Sequence, residues 1–434
     1  MTPRVVAFVP AKGTSHRVPN KNTRIFNGEP FFLFTVRKLL KCDFIDEVYV
    51  DSENMEILER AKLIGAKPLL RNIELASNKT DGHQLFYNEV VQVDADIYIQ
   101  HLCTSPFVKE ETIKTAIDIL IQQPAHDSVV LVAKEKRYRW ENGLPLYNLE
   151  HIPNSVDLPD DIAEAMSLYC VRREAVLATK RRIGNSPYLL FADPMERIDV
   201  NTEEDLSLAR TVGAGLIAEE EKRLRIIAKF LTSPILSDVA DELGLHCVLP
   251  PEYSPNIPGA KLFGRARTLH IRESLPEDPP DSIYEALKSY AHVVSNDIIV
   301  VRNERPDLAY FGDLNMSLAI RSGAIGAIVG GFTRDTQSTA NFGFPVYAKG
   351  RYCRDIKGQG AVQSINQSIE LDGIKIHPSD LVFADEDGVV VIPRKEESKF
   401  LQAALEKVSS EKSLLADICK DVKVQSLVEK YGFF

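Results

Sequence analysis

The chain lacks most of the features that assign a protein to a class at a glance. Its six cysteines, Cys42, Cys103, Cys170, Cys247, Cys353 and Cys419, are scattered and form no C-x-x-C pair. That argues against a disulfide framework or a zinc site and predicts reduced, partly buried thiols. No apolar run reaches membrane-spanning length, and no charged-then-apolar leader opens the chain. A cytoplasmic location with no membrane association is therefore expected. There is no excess of positive charge either, since 52 Lys and Arg face 62 Asp and Glu for a net charge of −10. This disfavours nucleic acid as a partner, although it leaves room for an anionic nucleotide at a local basic cluster. No internal repeat or low-complexity tract is present. The segment Ile235-Leu236-Ser237-Asp238-Val239-Ala240 with Leu243-Gly244 has the look of half a helix-turn-helix. No basic recognition helix follows it, so it reads as a capped core helix.

What is there fits two ordinary globular domains. At 434 residues, 44% hydrophobic and 26% charged, the chain has core enough for two domains of about 200 residues. Apolar runs alternate with helical stretches up to about residue 215, which predicts α/β architecture. The expected strands are Val5–Pro10, Glu47–Val50, Ile97–Gln100, Ser128–Ala133 and Leu189–Phe191. The expected helices are Phe32–Lys41, Met55–Gly65, Lys109–Gln122 and Glu203–Val212. Gly213 and Gly215 read as a break before a charged helical linker, and the expected division is 1–215, 216–229 and 230–434. In the second half, strands are expected at Lys261–Ile271, Asp297–Val301, Ala324–Val329 and Val389–Ile392, with an amphipathic helical tail.

The densest chemistry follows the apolar run Val5-Val6-Ala7-Phe8-Val9, in Pro10 to Asn22, PAKGTSHRVPNKN. The pair reads as a buried strand emptying into a loop. Lys12, His16, Arg17 and Lys21 lie among small residues that let backbone N–H groups approach a ligand. Clustered cations with flexible backbone donors suit a polyphosphate. The loop is neither G-x-x-x-x-G-K-[ST] nor G-x-G-x-x-G, and on composition alone a solvated basic turn is an equal reading.

The order of residues goes further. It resembles the opening signature, approximately A-R-x-G-S-x-R-[IL]-P-x-K-N, of the cytidylyltransferases that activate 2-keto-3-deoxy sugar acids, such as CMP-sialic acid and CMP-Kdo synthetases. Gly13, Ser15, Arg17, Pro19, Lys21 and Asn22 match, and Lys12 stands for the usual arginine, keeping charge without the bidentate fork. Further segments keep the family's order across nearly all of 1–215. Asp51 to Ile57 corresponds to S-T-D-x-x-x-I, with Ser52 and Glu53 at the Thr-Asp positions. Gly65 to Arg71 with Glu74-Leu75-Ala76, and Thr104-Ser105-Pro106-Phe107, are similar to two further family stretches, Leu102 taking the place of a glutamine. Ile198 to Leu206 resembles I-D-I-D-T-x-E-D-L.

The resemblance implies a nucleotide-diphospho-sugar-transferase-like (Rossmann-like) mixed-sheet domain with CTP as substrate. It would place Ala11, Lys12, Gly13, Ser15, Arg17, Lys21, Asn22, Arg71 and Thr104 around the nucleotide, with Lys21 catalytic. Asp199 would hold Mg²⁺ or Mn²⁺. Asn201 replaces a second metal-binding aspartate; its amide oxygen can still coordinate, or its side chain can cap the following helix. The family's sugar-recognising N-G-x-[IV]-Y reads Met166-Ser167-Leu168-Tyr169 here, which leaves the acceptor open.

The second half carries Gly312-Asp313-Leu314-Asn315, Arg321-Ser322-Gly323-Ala324, Gly330-Gly331-Phe332-Thr333-Arg334-Asp335, Gly343-Phe344-Pro345-Val346 and Ala384-Asp385-Glu386-Asp387-Gly388. In this order and spacing they resemble the RraA-like family, an α/β/β fold that includes 4-hydroxy-4-methyl-2-oxoglutarate and oxaloacetate-cleaving aldolases. The resemblance implies Asp335 as a metal ligand and Arg334 as the catalytic cation on a pyruvate-like 2-keto acid. It also implies backbone N–H groups of Leu314 and Asn315 on the carboxylate, and Asp313 orienting a water for proton transfer. Such a set stabilises the enolate charge of C–C cleavage. Gly330 stands where the family's D-G-x-x-R-D has aspartate. Asp385 and Asp387 read better as an acidic turn before a buried strand. The resemblance further implies a trimer or hexamer built through this domain. The expected small-molecule partners are CTP, a keto-acid sugar and a pyruvate-like acid. The rival readings are a non-catalytic oligomerisation or regulatory C-terminal module, and a nucleotidyltransferase for other acceptors such as phosphonates.

Overall fold

The computed structural model describes residues 3–15, 17–77, 79–420 and 422–432. It divides into two compact units, Met1–Gly213 and Ala214–Phe434. The first is built on seven strands, β1 Val5–Pro10, β2 Glu47–Ser52, β3 Lys67–Leu70, β4 Ile97–His101, β5 Ser128–Lys136, β6 Asp160–Arg172 and β7 Pro187–Phe191. Their spatial order is β7-β5-β6-β4-β1-β2-β3. β1 is parallel to both β2 and β4, and β2 to β3, whereas β6 runs antiparallel to β4 and β5.

β1 explains why a short continuous apolar run makes a strand. Val5, Ala7 and Val9 enter one core with Phe32, Val36 and Leu39 of the helix Phe31–Lys41. Val6 and Phe8 enter the other core with Phe86 and Tyr98. A strand covered on both faces has no solvent side to mark with polar residues. Because β1 to β4 are mutually parallel, their following loops all emerge at one carboxyl edge, the position at which open α/β sheets bind ligands.

Several elements differ from expectation, β3 and the helices Gly82–Val90 and Arg173–Thr179 among them. β6 is absent from the sequence reading because its first half, Asp160 to Ala163, is largely solvent-facing and polar. The strand also carries a bulge between Glu164 and Tyr169, with Met166 at φ 51°. The expected break at Gly213 and Gly215 does not occur either, and one helix runs Glu203–Ile227. Leu206 and Ala209 are buried in the first unit and Leu224 in the core of the second. Burial of such anchors offsets the roughly 1 kcal/mol that each helical glycine costs.

The second unit holds a nine-stranded sheet. Its strands are β8 Ser254–Pro255, β9 Leu262–Glu273, β10 Asp297–Asn303, β11 Ala309–Phe311, β12 Ala324–Thr333, β13 Val346–Arg351, β14 Gly360–Ile365, β15 Leu381–Asp385 and β16 Gly388–Ile392. The path is β8-β13-β12-β10-β9-β15-β16, with β11 beside β12 and β14 beside β9. The β9-β10-β12-β13 stretch is parallel, and β15–β16 is an antiparallel hairpin. At its turn Asp385 accepts from Ser233 N (2.9 Å) and from Asp387 N (3.1 Å), so this acidic pair is structural, as expected. The segment resembling half a helix-turn-helix is the helix Ser233–Glu242, capped by Thr232 and burying Ile235, Leu236, Val239 and Ala240.

Among the described residues no helix is long and apolar enough to cross a membrane. Cys42, Cys103, Cys170 and Cys247 are buried thiols, while Cys353 and Cys419 are free and exposed.

Candidate functional site

The carboxyl edge of β1 to β4 encloses a cavity of about 670 Å³. Seven of the residues singled out in the sequence line it: Lys12, Ser15, Arg17, Lys21, Asn22, Arg71 and Thr104. His16, the remaining cation of the loop, lies outside the described residues. Ala11 and Gly13 do not line the cavity and instead anchor the loop. Ala11 N donates to Asp51 O (2.9 Å), and Gly13 N donates to Glu53 Oε1 (2.8 Å). Gly13 is required there, since a Cβ would lie 2.8 Å from that of Asn54. Asn22 also holds the loop together, its Nδ2 donating to Lys12 O at 2.8 Å.

Arg71 reaches the cavity from the end of β3, but its guanidinium is already engaged. Nε lies 3.1 and 3.0 Å from the two Asp51 carboxylate oxygens, and Nη2 donates to Asp51 O at 2.9 Å. The Arg71 side chain is 4% exposed and that of Asp51 is fully buried. Behind this pair, Glu89 accepts from Gln100 Nε2 at 2.7 Å. Burial, followed by the neighbouring Asp51 charge, raises the Glu89 carboxyl well above its ordinary range. Asp51, which holds Arg71 at the cavity, is a residue that sequence reasoning missed. Its only signal is an acidic residue at a strand end twenty positions before an arginine.

Asp199 approaches from the far end of the domain. Its Oδ2 accepts from Asn201 Nδ2, and its Oδ1 is buried with no hydrogen-bond partner among the described residues. Asn201 Oδ1 in turn accepts from Arg17 Nη2 at 2.7 Å. Of its two expected roles, Asn201 does not take the helix cap, since its side chain is engaged by Arg17 and Asp199. Thr202 Oγ1 accepts from Asp205 N (3.2 Å), and the Asp205 carboxylate accepts from Thr202 N (2.8 Å) and Asn201 N (2.9 Å). Asn201 instead joins the loop cation to the carboxylate. Lys21 Nζ donates to Val200 O at 2.7 Å, and burial pushes its ammonium below the ordinary value while Cys103 and Asp199 pull it up.

Cys103 also lines the cavity, but burial pushes its thiol up to about 11, which leaves it a packing group and not a nucleophile. The altered Met166–Tyr169 segment forms the β6 bulge beside this wall, where Leu102 N donates to Ser167 O at 2.8 Å. Met166 occupies left-handed backbone in place of the glycine of N-G-x-[IV]-Y, at a cost of about 1–2 kcal/mol.

In the second unit, Asp313 opens the helix Asp313–Ser322 and Arg334-Asp335 follows β12. Asp313 N donates to Asp335 Oδ2 at 3.3 Å, and Arg334 Nε lies 3.6 Å from the same oxygen. Gly312 permits this approach, since a Cβ would sit 2.5 Å from Asp335 Oδ2. Leu314 and Asn315 occupy the second and third helical positions, where N–H groups lack intrahelical acceptors. The Asn315 side chain itself is taken up, donating to Tyr310 O (2.9 Å) and accepting from Tyr290 OH (3.0 Å). Asp355, unmarked in the sequence, holds Arg334 Nη1 at 3.1 Å.

Gly330, at the family's aspartate position, is covered by Leu371, whose Cδ1 would lie 2.4 Å from an added Cβ. Gly330→Asp is therefore expected to lower stability by about 1–3 kcal/mol in urea unfolding of the full chain. Among the described residues no group of three or more His, Cys, Asp or Glu is arranged to hold a metal. Asp199 in the first unit, and Asp335 with Asp313 near it in the second, are the carboxylates that could take part in holding a cation.

The comparisons agree with this division. Residues 6–189 match the family model described as Cytidylyltransferase, and residues 233–391 match that described as Aldolase/RraA. The chain is 31% identical over 222 residues to a pseudaminic acid cytidylyltransferase of Campylobacter jejuni, covering 47% of this chain and 94% of that protein. The chain thus belongs to the cytidylyltransferase family, and its second half is similar to the Aldolase/RraA family. Over 215 residues it is 28% identical to a Halalkalibacterium halodurans protein named "Putative 4-hydroxy-4-methyl-2-oxoglutarate aldolase", covering 48% of this chain and 97% of that one. It is also 30% identical over 162 residues to Protein DlpA of Legionella pneumophila. That match covers 36% of this chain and spans only 25% of DlpA.

Proposed function

We propose that the first unit transfers CMP from CTP to a 2-keto-3-deoxy sugar acid or a related acid, releasing pyrophosphate. The observation that carries this reading is the cavity at the parallel carboxyl edge, in which Lys12, Arg17, Lys21 and Arg71 converge with Ser15 and Thr104. Three loop cations with hydroxyl donors, and Arg71 held by Asp51 beside them, suit the charge and hydrogen-bonding needs of a triphosphate. In the reaction an acceptor hydroxyl forms a bond to the α-phosphorus, the bond to the β-phosphate oxygen breaks, and the hydroxyl proton passes to solvent. Lys12, Arg17 and Lys21 orient the triphosphate and hold the charge that moves onto the departing pyrophosphate. The buried Asp199 Oδ1, without a partner among the described residues, fits a hard cation, and Asp199 would hold Mg²⁺ or Mn²⁺, which would supply further charge neutralisation. Asn201, engaged by Arg17, serves the loop and not the metal. Similarity to pseudaminic acid cytidylyltransferases supports a sugar acid as acceptor. Incubation with CTP, Mg²⁺ and a panel of keto-deoxy acids should release pyrophosphate. Its absence with every acceptor in folded protein would overturn the assignment.

For the second unit we infer a metal-dependent lyase acting on a 2-keto acid aldol. The gathering of Asp313, Arg334 and Asp335 at a helix N-terminus supports it. The main-chain N–H groups of Leu314 and Asn315 would receive the keto acid's carboxylate, and Arg334 would stabilise enolate charge. Asp335, with Asp313 beside it, would hold the divalent ion. Asp335→Ala should abolish metal-dependent release of pyruvate from test aldols or of CO₂ from oxaloacetate. Wild-type protein inactive on both would instead favour a binding role. Assembly into a trimer or hexamer through this unit belongs to the same proposal, and sedimentation of the full chain tests it.

A further inference from the structure

We propose that Lys38 is a positioning residue of the nucleotide site, clamping from behind the loop that carries Cys103 and Thr104 into the cavity. The proposal rests on the transferase reading and deepens it. Lys38 lies on the helix Phe31–Lys41, outside the cavity lining. Its Nζ donates to two carbonyls of one loop, Pro106 O at 2.7 Å and Val108 O at 2.6 Å. His101 holds the same loop from the strand side, 3.1 Å from Leu102 O. A carbonyl can only accept, so His101 Nδ1 carries the hydrogen.

The restraint is passed on through the main chain. Thr104 O accepts from Val200 N at 2.9 Å, and Val200 O accepts from Lys21 Nζ at 2.7 Å. A path of hydrogen bonds joined by short stretches of main chain therefore runs from Lys38 through the cavity wall to the loop cation, beside Asp199. Among the described residues no carboxylate forms an ion pair with Lys38. A cation buried without an ion pair costs more than an apolar side chain of the same length would. What the cation supplies, and methionine cannot, is a directional hold on two carbonyl oxygens.

The groups facing Lys38 are Glu110 from the helix Glu110–Gln122, Cys42 at the end of its own helix, Glu196, and His101 from β4, with the Phe34 ring 6.0 Å away. Burial pushes the Lys38 ammonium down to about 7, against an upward pull led by Glu110. Unfolded lysine titrates near 10.5. Between those values the unfolded chain binds more protons, so the Lys38 contribution to stability rises with pH. The clamp weakens over the same interval as the charge is lost. Activity and stability should thus move in opposite directions, which a merely structural lysine would not produce.

The test is CTP affinity of the full chain with Mg²⁺, by calorimetry between pH 6 and 9, for wild type, Lys38→Met and Lys38→Arg. At pH 6 Lys38→Met should bind CTP about tenfold more weakly, with a melting temperature equal to or above wild type. Relative to Lys38→Arg, which keeps its charge, wild type should lose affinity as pH rises through about 7. Wild type that fails to bind CTP at any pH overturns the transferase reading itself. Wild type that binds, with both variants matching its affinity and pH profile, overturns only the clamp. Should Lys38→Met fail to fold, the wild-type to Lys38→Arg ratio across pH decides alone, and a flat ratio rejects the proposal.

Discussion

Asp199→Asn should lower pyrophosphate release at saturating CTP by about a hundred- to a thousandfold while leaving the fold as stable as before, or more so. The two halves of that result come from the same atom. Among the described residues Asp199 Oδ1 is buried with no hydrogen-bond partner, an arrangement that costs stability in the ligand-free protein. The amide side chain keeps an oxygen for Asn201 Nδ2 and replaces the carboxylate oxygen that has no hydrogen-bond partner among the described residues. Residues retained for chemistry at the expense of folding behave this way. Chelation of divalent ions should reproduce the loss in wild type, and Asp199→Asn should then show little further dependence on the chelator. Unimpaired turnover by Asp199→Asn would remove this residue from the site.

Asp51→Ala should have the opposite character, with a large effect on stability. It strands the Arg71 guanidinium, 4% exposed, without its bidentate partner. Removing one member of a buried pair costs about 3–5 kcal/mol, which for a unit of this size corresponds to roughly 10 °C in melting temperature. Glu53 Oε2, 3.9 Å from Arg71 Nη1, is too distant to replace it as a hydrogen-bonded acceptor. CTP affinity should fall as well, because the freed guanidinium loses its fixed direction toward the cavity. Thermal unfolding with and without CTP separates the two effects. A loss below about 1 kcal/mol would mean that Arg71 finds another acceptor.

These two carboxylates also mark what could be read from the sequence. Asp199 was legible because its neighbours Ile198 to Leu206 preserve a recognisable order. Asp51 was not, since its importance comes from burial against Arg71, and a sequence shows neither burial nor pairing across strands. The opening loop was legible because its chemistry is contiguous, yet Ala11 and Gly13 proved to be anchors and not cavity wall. Their donors are absorbed by Asp51 and Glu53, two residues on the neighbouring strand and its end. β6 escaped notice because half of it faces solvent, so alternation and apolarity both fail there. The helix Glu203–Ile227 was cut short because glycine propensity was weighed without the buried Leu206, Ala209 and Leu224. In the second unit Asp313, Arg334 and Asp335 were legible from motif order. Asp355, which orients Arg334, was again visible only in space.

The fastening of the opening loop has an entropic meaning. Asn22 Nδ2 on Lys12 O joins positions ten residues apart, and Glu53 fixes Gly13 from the neighbouring strand end. Closing such a segment is a cost of chain configuration, met once when the domain folds. A ligand arriving afterwards has less freedom left to remove, so more of its contact energy remains as affinity.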